Sequence, residues 1–352
     1  MGNKIAFVGA GAVGAHVGGY LTRAGHDITM IDIWPDHVEA MRRDGLSLDG
    51  LTEPECFNVK VKAIHVTELQ KAAKSTPFDI AFICAKSYDT VWHTQMISQY
   101  LAADGFCVSL QNSINEERIA SVVGWGKVIG CIASTIAVEL DRPGHVSRNV
   151  ALGGERHTIF RVGEPHGRIT PRIEEIADML KVCDSSKTTT NLWGERWSKL
   201  CVNAMRNPVA AATARSGNEN DRDPMTRQLS IRLAGEACRV GIAHGYDLEN
   251  IYKMPPEQLI AARDGDMAAM EACEAVIVEN ASFRNDDQRP SMGQDMLKGR
   301  RTEIDFISGL VVEKATELGL DVPCNAGILE AVRKVERGDI PASADAVAHI
   351  KA

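Results

Sequence analysis

The sequence lacks an excess of positive charge. Its 352 residues include 39 lysines and arginines against 47 aspartates and glutamates, which gives a formal net charge of -8 at pH 7. A protein of this charge has no general attraction to nucleic-acid phosphates or to anionic lipid. We therefore expect neither nucleic acid nor a membrane surface among its partners.

The sequence also lacks paired cysteines and long apolar runs. None of its nine cysteines belongs to a Cys-x-x-Cys pair, and several fall in apolar runs, as Cys84 does in residues 80 to 85. Buried thiols are therefore expected rather than disulfides. No signal peptide, lipidation motif or apolar span of about 18 residues is present. These features favour a soluble protein in a reducing cytoplasm.

The histidines lack the spacing of a metal site. None of the ten occurs in a His-x-x-x-His or His-Glu-x-x-His pattern, the spacings that place two ligands on one helix face. We expect no metal, and we interpret His16 and His26 as packing or surface residues.

The sequence does contain short apolar runs rich in β-branched and aromatic residues. Four of them lie at residues 4 to 8, 28 to 32, 79 to 83 and 106 to 110. Such runs suit strands buried on both faces, and helical segments between them suit crossovers in a parallel sheet. The N-terminal part is thus predicted to be an α/β domain of the Rossmann type, with a doubly wound, mostly parallel sheet.

The pattern becomes helical in the second half of the chain. Residues 128 to 163 alternate short runs with turns, which we interpret as an extension of the sheet, and residues 173 to 180 have helical spacing. A chain of this length exceeds the usual size of one core. We predict two domains, residues 1–190 and an all-helical domain of residues 191–352. The polar stretch from 215 to 226 is expected to be a surface loop.

A glycine-rich turn follows the first predicted strand directly. Residues 9 to 14 read Gly9-Ala10-Gly11-Ala12-Val13-Gly14 and open a helix predicted over residues 15 to 24. This spacing provides a tight turn, a close approach of backbone to pyrophosphate and close packing of helix on strand, while the helix N-terminus attracts the phosphates. In this setting the motif predicts dinucleotide binding rather than a turn without a ligand.

Asp32 ends the second predicted strand, 18 residues after Gly14. A carboxylate at that place accepts hydrogen bonds from the adenosine ribose hydroxyls and repels a 2′-phosphate. The next three residues provide no arginine, and Arg42 and Arg43 come a helix later. We therefore predict NAD as the cofactor in preference to NADP.

Polar residues mark one face of a helix near the start of the second domain. Lys199, Asn203 and Asn207 are spaced at i, i+4 and i+8 in an otherwise apolar segment. An ammonium on such a face can stabilise and protonate an oxygen that gains negative charge. Taken alone, the same residues could be a solvated lysine with surface asparagines.

A third cluster of small, acidic and basic residues runs from Ser291 to Glu303, ahead of a helix predicted over residues 304 to 318. Thr302 is expected to cap that helix, with Asp305 completing a variant of the capping box. On their own, Ser291 and Glu303 have a simpler interpretation, as a helix cap and as a carboxylate that complements the helix dipole.

These motifs, together with Ala85-Lys86 and Leu110-Gln111-Asn112, occur in the order seen in the ketopantoate reductase family. The chain resembles that family over nearly its whole length. The resemblance implies an NAD(P)-dependent oxidoreductase that interconverts a 2-keto acid and a 2-hydroxy acid by hydride transfer. It implies a cleft between a Rossmann domain and a helical domain.

The resemblance also implies roles for individual residues. Lys199 would be the general acid or base, and Glu303 would hydrogen-bond the substrate and position the lysine. Ser291 would bind the substrate carboxylate and Lys86 the cofactor. The amides expected to hold substrate and nicotinamide are those of Asn112, Asn203 and Asn207.

Two residues depart from the family pattern. Asp32 stands where members that make pantoate carry a basic residue, and Ser113 stands where a glycine commonly follows the Gln-Asn pair. The alternatives left open are 2-dehydropantoate 2-reductase proper, a catabolic 2-hydroxy acid dehydrogenase, a β-hydroxyacid dehydrogenase and a sensor that binds NAD without turnover. The motif from Ser291 to Glu303 argues against the β-hydroxyacid dehydrogenase. The apolar helix at residues 309 to 318 suits either the core or a homodimer interface.

Overall fold

The computed structural model describes residues 2–72, 76–283 and 285–350. The chain divides into two compact units, Met1–Leu192 and Trp193–Ala352. Sheets dominate the first unit, whereas the second consists of helices.

The first unit alternates strands and helices along most of its length. Its strands are β1 (Lys4–Val8), β2 (Asp27–Asp32), β3 (Leu46–Asp49), β4 (Phe57–Val59), β5 (Lys62–His65), β6 (Phe78–Ile83), β7 (Leu101–Ser109), β8 (Val128–Ala133), β9 (Val138–Arg142), β10 (His145–Arg148), β11 (Phe160–Gly163) and β12 (Ser186–Thr189). Its helices are α1 (Ala12–Arg23), α2 (Pro35–Asp44), α3 (Leu69–Ala72), α4 (Thr90–Ser98), α5 (Glu116–Val123) and α6 (Pro171–Leu180).

The main sheet has eight strands in the order β12-β11-β8-β7-β6-β1-β2-β5. Every neighbouring pair is parallel except β11 and β8. The predicted doubly wound, mostly parallel sheet is therefore confirmed. Its central strands are buried on both faces, because successive residues of β1 enter different apolar clusters: Ile5 and Phe7 one, Ala6 and Val8 the other.

The interpretation of residues 128 to 163 as one extension of the sheet is only partly right. Strands β8 and β11 do extend the main sheet, but β9 and β10 join a second sheet of order β4-β3-β10-β9. In that sheet β10 lies parallel to β3, with His145 opposite Ser47. This pairing joins segments about a hundred residues apart, so no local pattern could indicate it.

The second unit is helical, as predicted. Its helices are α7 (Leu192–Thr213), α8 (Gly217–Arg222), α9 (Pro224–Ala243), α10 (Pro256–Arg263), α11 (Met267–Ala281), α12 (Ser291–Leu297), α13 (Ser308–Glu317) and α14 (Pro323–Arg337). Among the described residues of this unit, the β structure is limited to an isolated bridge between Ile251 and Met254.

Buried polar contacts fasten the helices of the second unit to one another. Glu236 of α9 is fully buried, and its carboxylate accepts hydrogen bonds from the N–H groups of Cys324 and Asn325 at 2.9 and 2.8 Å. The carboxylate therefore satisfies donors at the N-terminus of α14 that have no partner within that helix. Trp197 of α7 is also fully buried and donates to the carbonyl oxygen of Ala237 at 2.8 Å.

The prediction of a surface loop at residues 215 to 226 is wrong. Ser216 and Glu219 form a capping box that starts α8, and the Asp223 carboxylate accepts a hydrogen bond from Met225 N at the start of α9. Polar residues interpreted as loop signals are helix caps here. Two of the residues between the caps, Asn218 and Asp221, are buried.

The capping box expected at Thr302 is also wrong in part. The Thr302 hydroxyl does accept from Ile304 N, at 3.3 Å. Asp305, however, is bonded to the guanidinium of Arg333 at 2.6 and 2.9 Å instead of reaching back to the cap. The helix is interrupted at Ile307, so a short 3-10 turn precedes α13.

In the described ranges, no group of three or more histidine, cysteine, aspartate or glutamate side chains could hold a metal ion. Within the same residues, no helix has both the length and the apolar composition needed to cross a membrane.

Candidate active site

The predicted cofactor residues of the first unit lie at one edge of the main sheet. The register places Val8 opposite both Ile31 and Ile83, and Ile83 opposite Ser109, so four strands end level with one another. Each of these four strand ends carries one of the predicted cofactor groups. Asp32 is the last residue of β2, and the others come just after a strand: the glycine turn after β1, Lys86 after β6 and Asn112 after β7. The carboxyl edge of such a sheet is where doubly wound folds bind their ligands.

The three glycines of the turn are required for different reasons. A Cβ on Gly14 would lie 2.2 Å from the carbonyl oxygen of Gly9, and one on Gly9 would lie 2.9 Å from the nitrogen of Ala85. A Cβ on Gly11 would meet no described atom within 4 Å, and the φ of Gly11 is an ordinary -66°. The fold itself therefore needs Gly9 and Gly14, whereas the space above Gly11 fits the approach of a pyrophosphate to the backbone.

The turn leads into a helix N-terminus that has no side-chain cap. Gly11 is the N-cap residue of α1, which starts with Ala12 and Val13. The first N–H groups of a helix have no partner within the helix, and they carry a partial positive charge. The turn can therefore hold the dinucleotide phosphates, and the residues present fit that group.

Asp32 is half-buried at the end of β2, and its Oδ1 accepts a hydrogen bond from Trp34 N at 2.9 Å. This bond within a short turn fixes the direction of the carboxylate. The position at the strand end is the one from which an acidic residue reaches the adenosine ribose.

Gln111 connects the loops that carry Lys86 and Asn112. Its amide nitrogen donates to the carbonyl oxygen of Ala85 at 2.7 Å and to the Thr90 hydroxyl at 2.8 Å. Lys86 and Asn112 are both half-buried. The next residue, Ser113, has a φ of +65°, in the left-handed region that favours glycine. The backbone here thus keeps a glycine conformation although the residue is serine.

In the second unit, α7 is one continuous helix that includes Lys199, Asn203 and Asn207. The i, i+4 and i+8 spacing therefore does place them along one face. Lys199 and Asn203 are half-buried, and Asn207 is 5% exposed. A merely solvated stripe would be more exposed than this, so the interpretation as surface asparagines is not supported.

A cavity of about 190 Å³ lies beside α7. Its lining contains the two predicted amides and eight further residues: Val202, Asn203, Arg206, Asn207, Gly217, Asn218, Tyr252, Gln288, Arg289 and Pro290. The Asn203 Nδ2 is buried and has no hydrogen-bond partner among the described residues. A buried donor without a partner costs about 1–3 kcal/mol, so this amide is a candidate donor to a ligand oxygen.

Tyr252 and Arg206 form one wall of this cavity. The Arg206 guanidinium lies 5.1 Å from the centre of the Tyr252 ring and is held by two hydrogen bonds of 3.0 Å to the Asp221 carboxylate. Tyr252 and the following Lys253 both have positive φ, +53° and +72°. Two successive left-handed residues of this size store backbone strain, a feature that is frequent at functional sites.

Ser291 and Glu303 are not part of the cavity lining in the described part of the chain, and neither is Lys199. Ser291 begins α12 directly after the lining residue Pro290. That helix packs against α7, because a Cβ on Gly293 would lie 3.4 Å from the Cβ of Ala210. Glu303 is 2% exposed.

The sequence motifs do not include several residues of the cavity wall: Arg206, Asn218, Tyr252 and Gln288. The Ser-x-x-Glu spacing at Ser216 and Glu219 would have predicted α8 and placed Asn218 in its first turn. The contact of Arg206 with Tyr252 joins residues far apart in sequence, and no local signal indicates it.

Comparison with known proteins relates the chain to one family. The family model described as ketopantoate reductase PanE/ApbA matches residues 5–159, and the model of its C-terminal domain matches residues 191–336. The chain is 30% identical to 2-dehydropantoate 2-reductase of Archaeoglobus fulgidus over 337 residues, which cover 95% of this chain and 98% of that protein. It is 30% identical to the Pyrococcus horikoshii protein of that name over 328 residues, with coverages of 92% and 94%.

Solved structures show the same fold. A PanE/ApbA family ketopantoate reductase from Ralstonia eutropha JMP134 superposes with a TM-score of 0.75 at 26% identity, covering 95% of this chain and 99% of that one. A D-mandelate dehydrogenase solved with NADH and anilino(oxo)acetate superposes with a TM-score of 0.77 at 21% identity, covering 95% and 98%.

Proposed function

The chain belongs to the ketopantoate reductase family of NAD(P)-dependent oxidoreductases that act on CH–OH groups, and we propose that it interconverts a 2-keto acid and its 2-hydroxy acid with NAD as the cofactor. The observation that carries the proposal is Asn203, which lines the cavity beside α7 and whose buried amide nitrogen lacks a partner among the described residues. Carbonyl and carboxylate oxygens of a keto acid are acceptors of the kind this donor needs.

Lys199 is the proposed general acid. The nicotinamide, when bound, supplies a hydride to the carbonyl carbon of the substrate. Negative charge then develops on the former carbonyl oxygen, and an ammonium can stabilise that charge and donate a proton to it. Lys199 lies one helical turn before Asn203 on the same face of α7, so the proton donor and the amide donor can serve one bound substrate.

The other polar residues are proposed to hold and orient the reactants. Asn207 is buried beside Asn203, where its amide can bind a further substrate oxygen. Glu303 is proposed to hydrogen-bond the substrate and orient Lys199, and Ser291 to bind the substrate carboxylate. In the first unit, Lys86 and Asn112 are proposed to contact the cofactor and, for Asn112, also the substrate.

The preference for NAD rests on Asp32. Its carboxylate is fixed at the end of β2 by the bond from Trp34 N, where a 2′-phosphate would meet like charge. D-mandelate dehydrogenase shares the fold and was solved with NADH bound. This supports a nicotinamide cofactor for the present chain.

Lys199→Ala tests the catalytic assignment. The substrate is identified first, from a panel of 2-keto acids that includes ketopantoate and phenylglyoxylate. Their reduction is monitored by the loss of NADH absorbance. With that substrate, Lys199→Ala should lower kcat about a hundredfold or more and leave NADH binding intact. Lys334→Ala, which removes an exposed lysine of α14, is the matched control. A loss of less than about tenfold would show that Lys199 is not the general acid.

Asp32→Ser tests the cofactor assignment. The unmodified protein should have a higher kcat/KM with NADH than with NADPH, and the substitution should shrink or invert that ratio because the repulsion of the 2′-phosphate is removed. A ratio that favours NADPH in the unmodified protein would contradict the assignment.

A further inference from the structure

His37 is a fully buried histidine of α2, outside the motifs described so far. Its Nε2 lies 2.7 Å from the carbonyl oxygen of Ala10, in the middle of the glycine turn. Its Nδ1 accepts a hydrogen bond of 2.9 Å from the N–H of Gly144, in the turn between β9 and β10. One imidazole thus joins the cofactor turn to a hairpin of the second sheet.

The donor Gly144 determines the tautomer of the ring. A backbone N–H can only donate, so Nδ1 must be the unprotonated acceptor and Nε2 must carry the proton. The bond at Ala10 therefore runs from Nε2–H to the carbonyl oxygen. Gly144 is itself fixed, since its carbonyl oxygen accepts from Ser47 N at 2.9 Å. The ring of Trp34 packs on the imidazole, with centroids 5.8 Å apart.

Holding the Ala10 carbonyl also orients the next N–H group. The peptide between Ala10 and Gly11 is planar and trans, so its C=O and N–H bonds point to opposite sides. Because the carbonyl points to His37, the N–H of Gly11 points away from it. Gly11 is the residue whose missing Cβ leaves space for a pyrophosphate.

We infer that His37 is a positioning residue for the cofactor: its Nε2–H holds the Ala10 carbonyl so that the N–H of Gly11 is presented to the dinucleotide phosphates. Without this donor the peptide can rotate, and a carbonyl oxygen then faces the phosphates. The inference rests on dinucleotide binding at the glycine turn and is independent of the role proposed for Lys199.

Two substitutions separate the bonds of His37. In His37→Gln the amide nitrogen can take the place of Nε2 and still donate to the Ala10 carbonyl. In His37→Asn the amide oxygen can take the place of Nδ1, so only the hydrogen bond from Gly144 is kept. NADH binding is measured by fluorescence titration, and kcat is measured at saturating NADH. We expect His37→Asn to bind NADH about five- to tenfold more weakly, with kcat little changed, and His37→Gln to bind nearly as the unmodified protein. Glu39→Ala, at an exposed position of the same helix, is the control.

A purely structural role predicts a different result, since both substitutions would then weaken binding equally and lower Tm together. That outcome, or equal NADH affinity for His37→Asn and the unmodified protein, would overturn the inference alone. Absence of NADH binding by the unmodified protein would refute the cofactor assignment as well. Long-range ¹H–¹⁵N spectra of histidine-labelled protein provide a further check, and a proton on Nδ1 of His37 would overturn the tautomer on which the inference depends.

Discussion

The stability of the first unit should depend on pH through His16, a buried residue of α1. Neither ring nitrogen of His16 has a hydrogen-bond partner among the described residues. Burial, with a smaller contribution from the charge of Arg148, lowers the pKa of His16 from 6.5 to about 3. The folded protein therefore keeps this ring neutral at pH values where the unfolded chain takes up a proton.

The sign and size of the effect follow from linkage. Because the folded-state pKa is depressed, stability is complete above the unfolded-state pKa of 6.5 and is lost as the pH falls toward 3. At pH 5 the unfolded histidine lies about 1.5 pH units below its pKa, which corresponds to about 2 kcal/mol. That figure holds for any folded-state pKa below about 4, because the folded state is then still neutral at pH 5.

Urea unfolding at pH 8 and pH 5 tests this, with His16→Leu compared with the unmodified protein. The substitution removes two buried polar atoms and the group that titrates. Between pH 8 and pH 5, His16→Leu should therefore lose about 2 kcal/mol less stability than the unmodified protein loses. Val17→Ala, a buried change on the same helix that alters no titrating group, should lower stability equally at both. If the unmodified protein and His16→Leu lost the same stability between pH 8 and pH 5, within about 0.5 kcal/mol, the claim that the folded protein keeps the His16 ring neutral would be refuted.

Three further predictions concern buried contacts of both units. Gly14→Ala should destabilise the protein by about 1–3 kcal/mol in urea unfolding because its Cβ meets the Gly9 carbonyl oxygen, whereas Gly11→Ala should leave Tm nearly unchanged and weaken NADH binding. Asp184→Ala should cost about 3–5 kcal/mol, because it leaves the guanidinium of the fully buried Arg148 without its carboxylate; a cost below about 1 kcal/mol would contradict a buried pair. Glu236→Ala should cost about 3 kcal/mol, since two backbone donors of α14 and a side-chain amide lose their acceptor, and hydrogen exchange should rise at the start of α14.

The central strands could be predicted from sequence because burial on both faces leaves a continuous apolar run. The apolar run at residues 4 to 8 predicts a strand, and β1 is Lys4–Val8. The edge strand β12 gave no such signal, since Ser186–Thr189 is polar and pairs on one side only, with β11. The second sheet could not be predicted, because it depends on β3 and β10 meeting across the sequence.

In the candidate site, too, features that depend on local sequence could be predicted, and features that depend on contacts between distant segments could not. The spacing of Lys199, Asn203 and Asn207 is a local property of a helix, and the structure has one continuous helix there. The wall formed by Tyr252 and Arg206 depends on a contact between distant segments and on a strained turn. Local periodicity therefore indicated the polar face of α7, and only the folded chain showed the cavity beside it.

The bond between His37 and Gly144 also bears on when the cofactor turn is completed during synthesis. The two residues are 107 positions apart in the chain. At a translation rate of about 5–20 residues per second, Gly144 is made roughly 5–20 s after His37. A nascent chain that has released the glycine turn from the ribosome therefore still lacks the hairpin that anchors the imidazole. We expect ribosome-bound chains to gain their full affinity for NADH only once this hairpin has emerged.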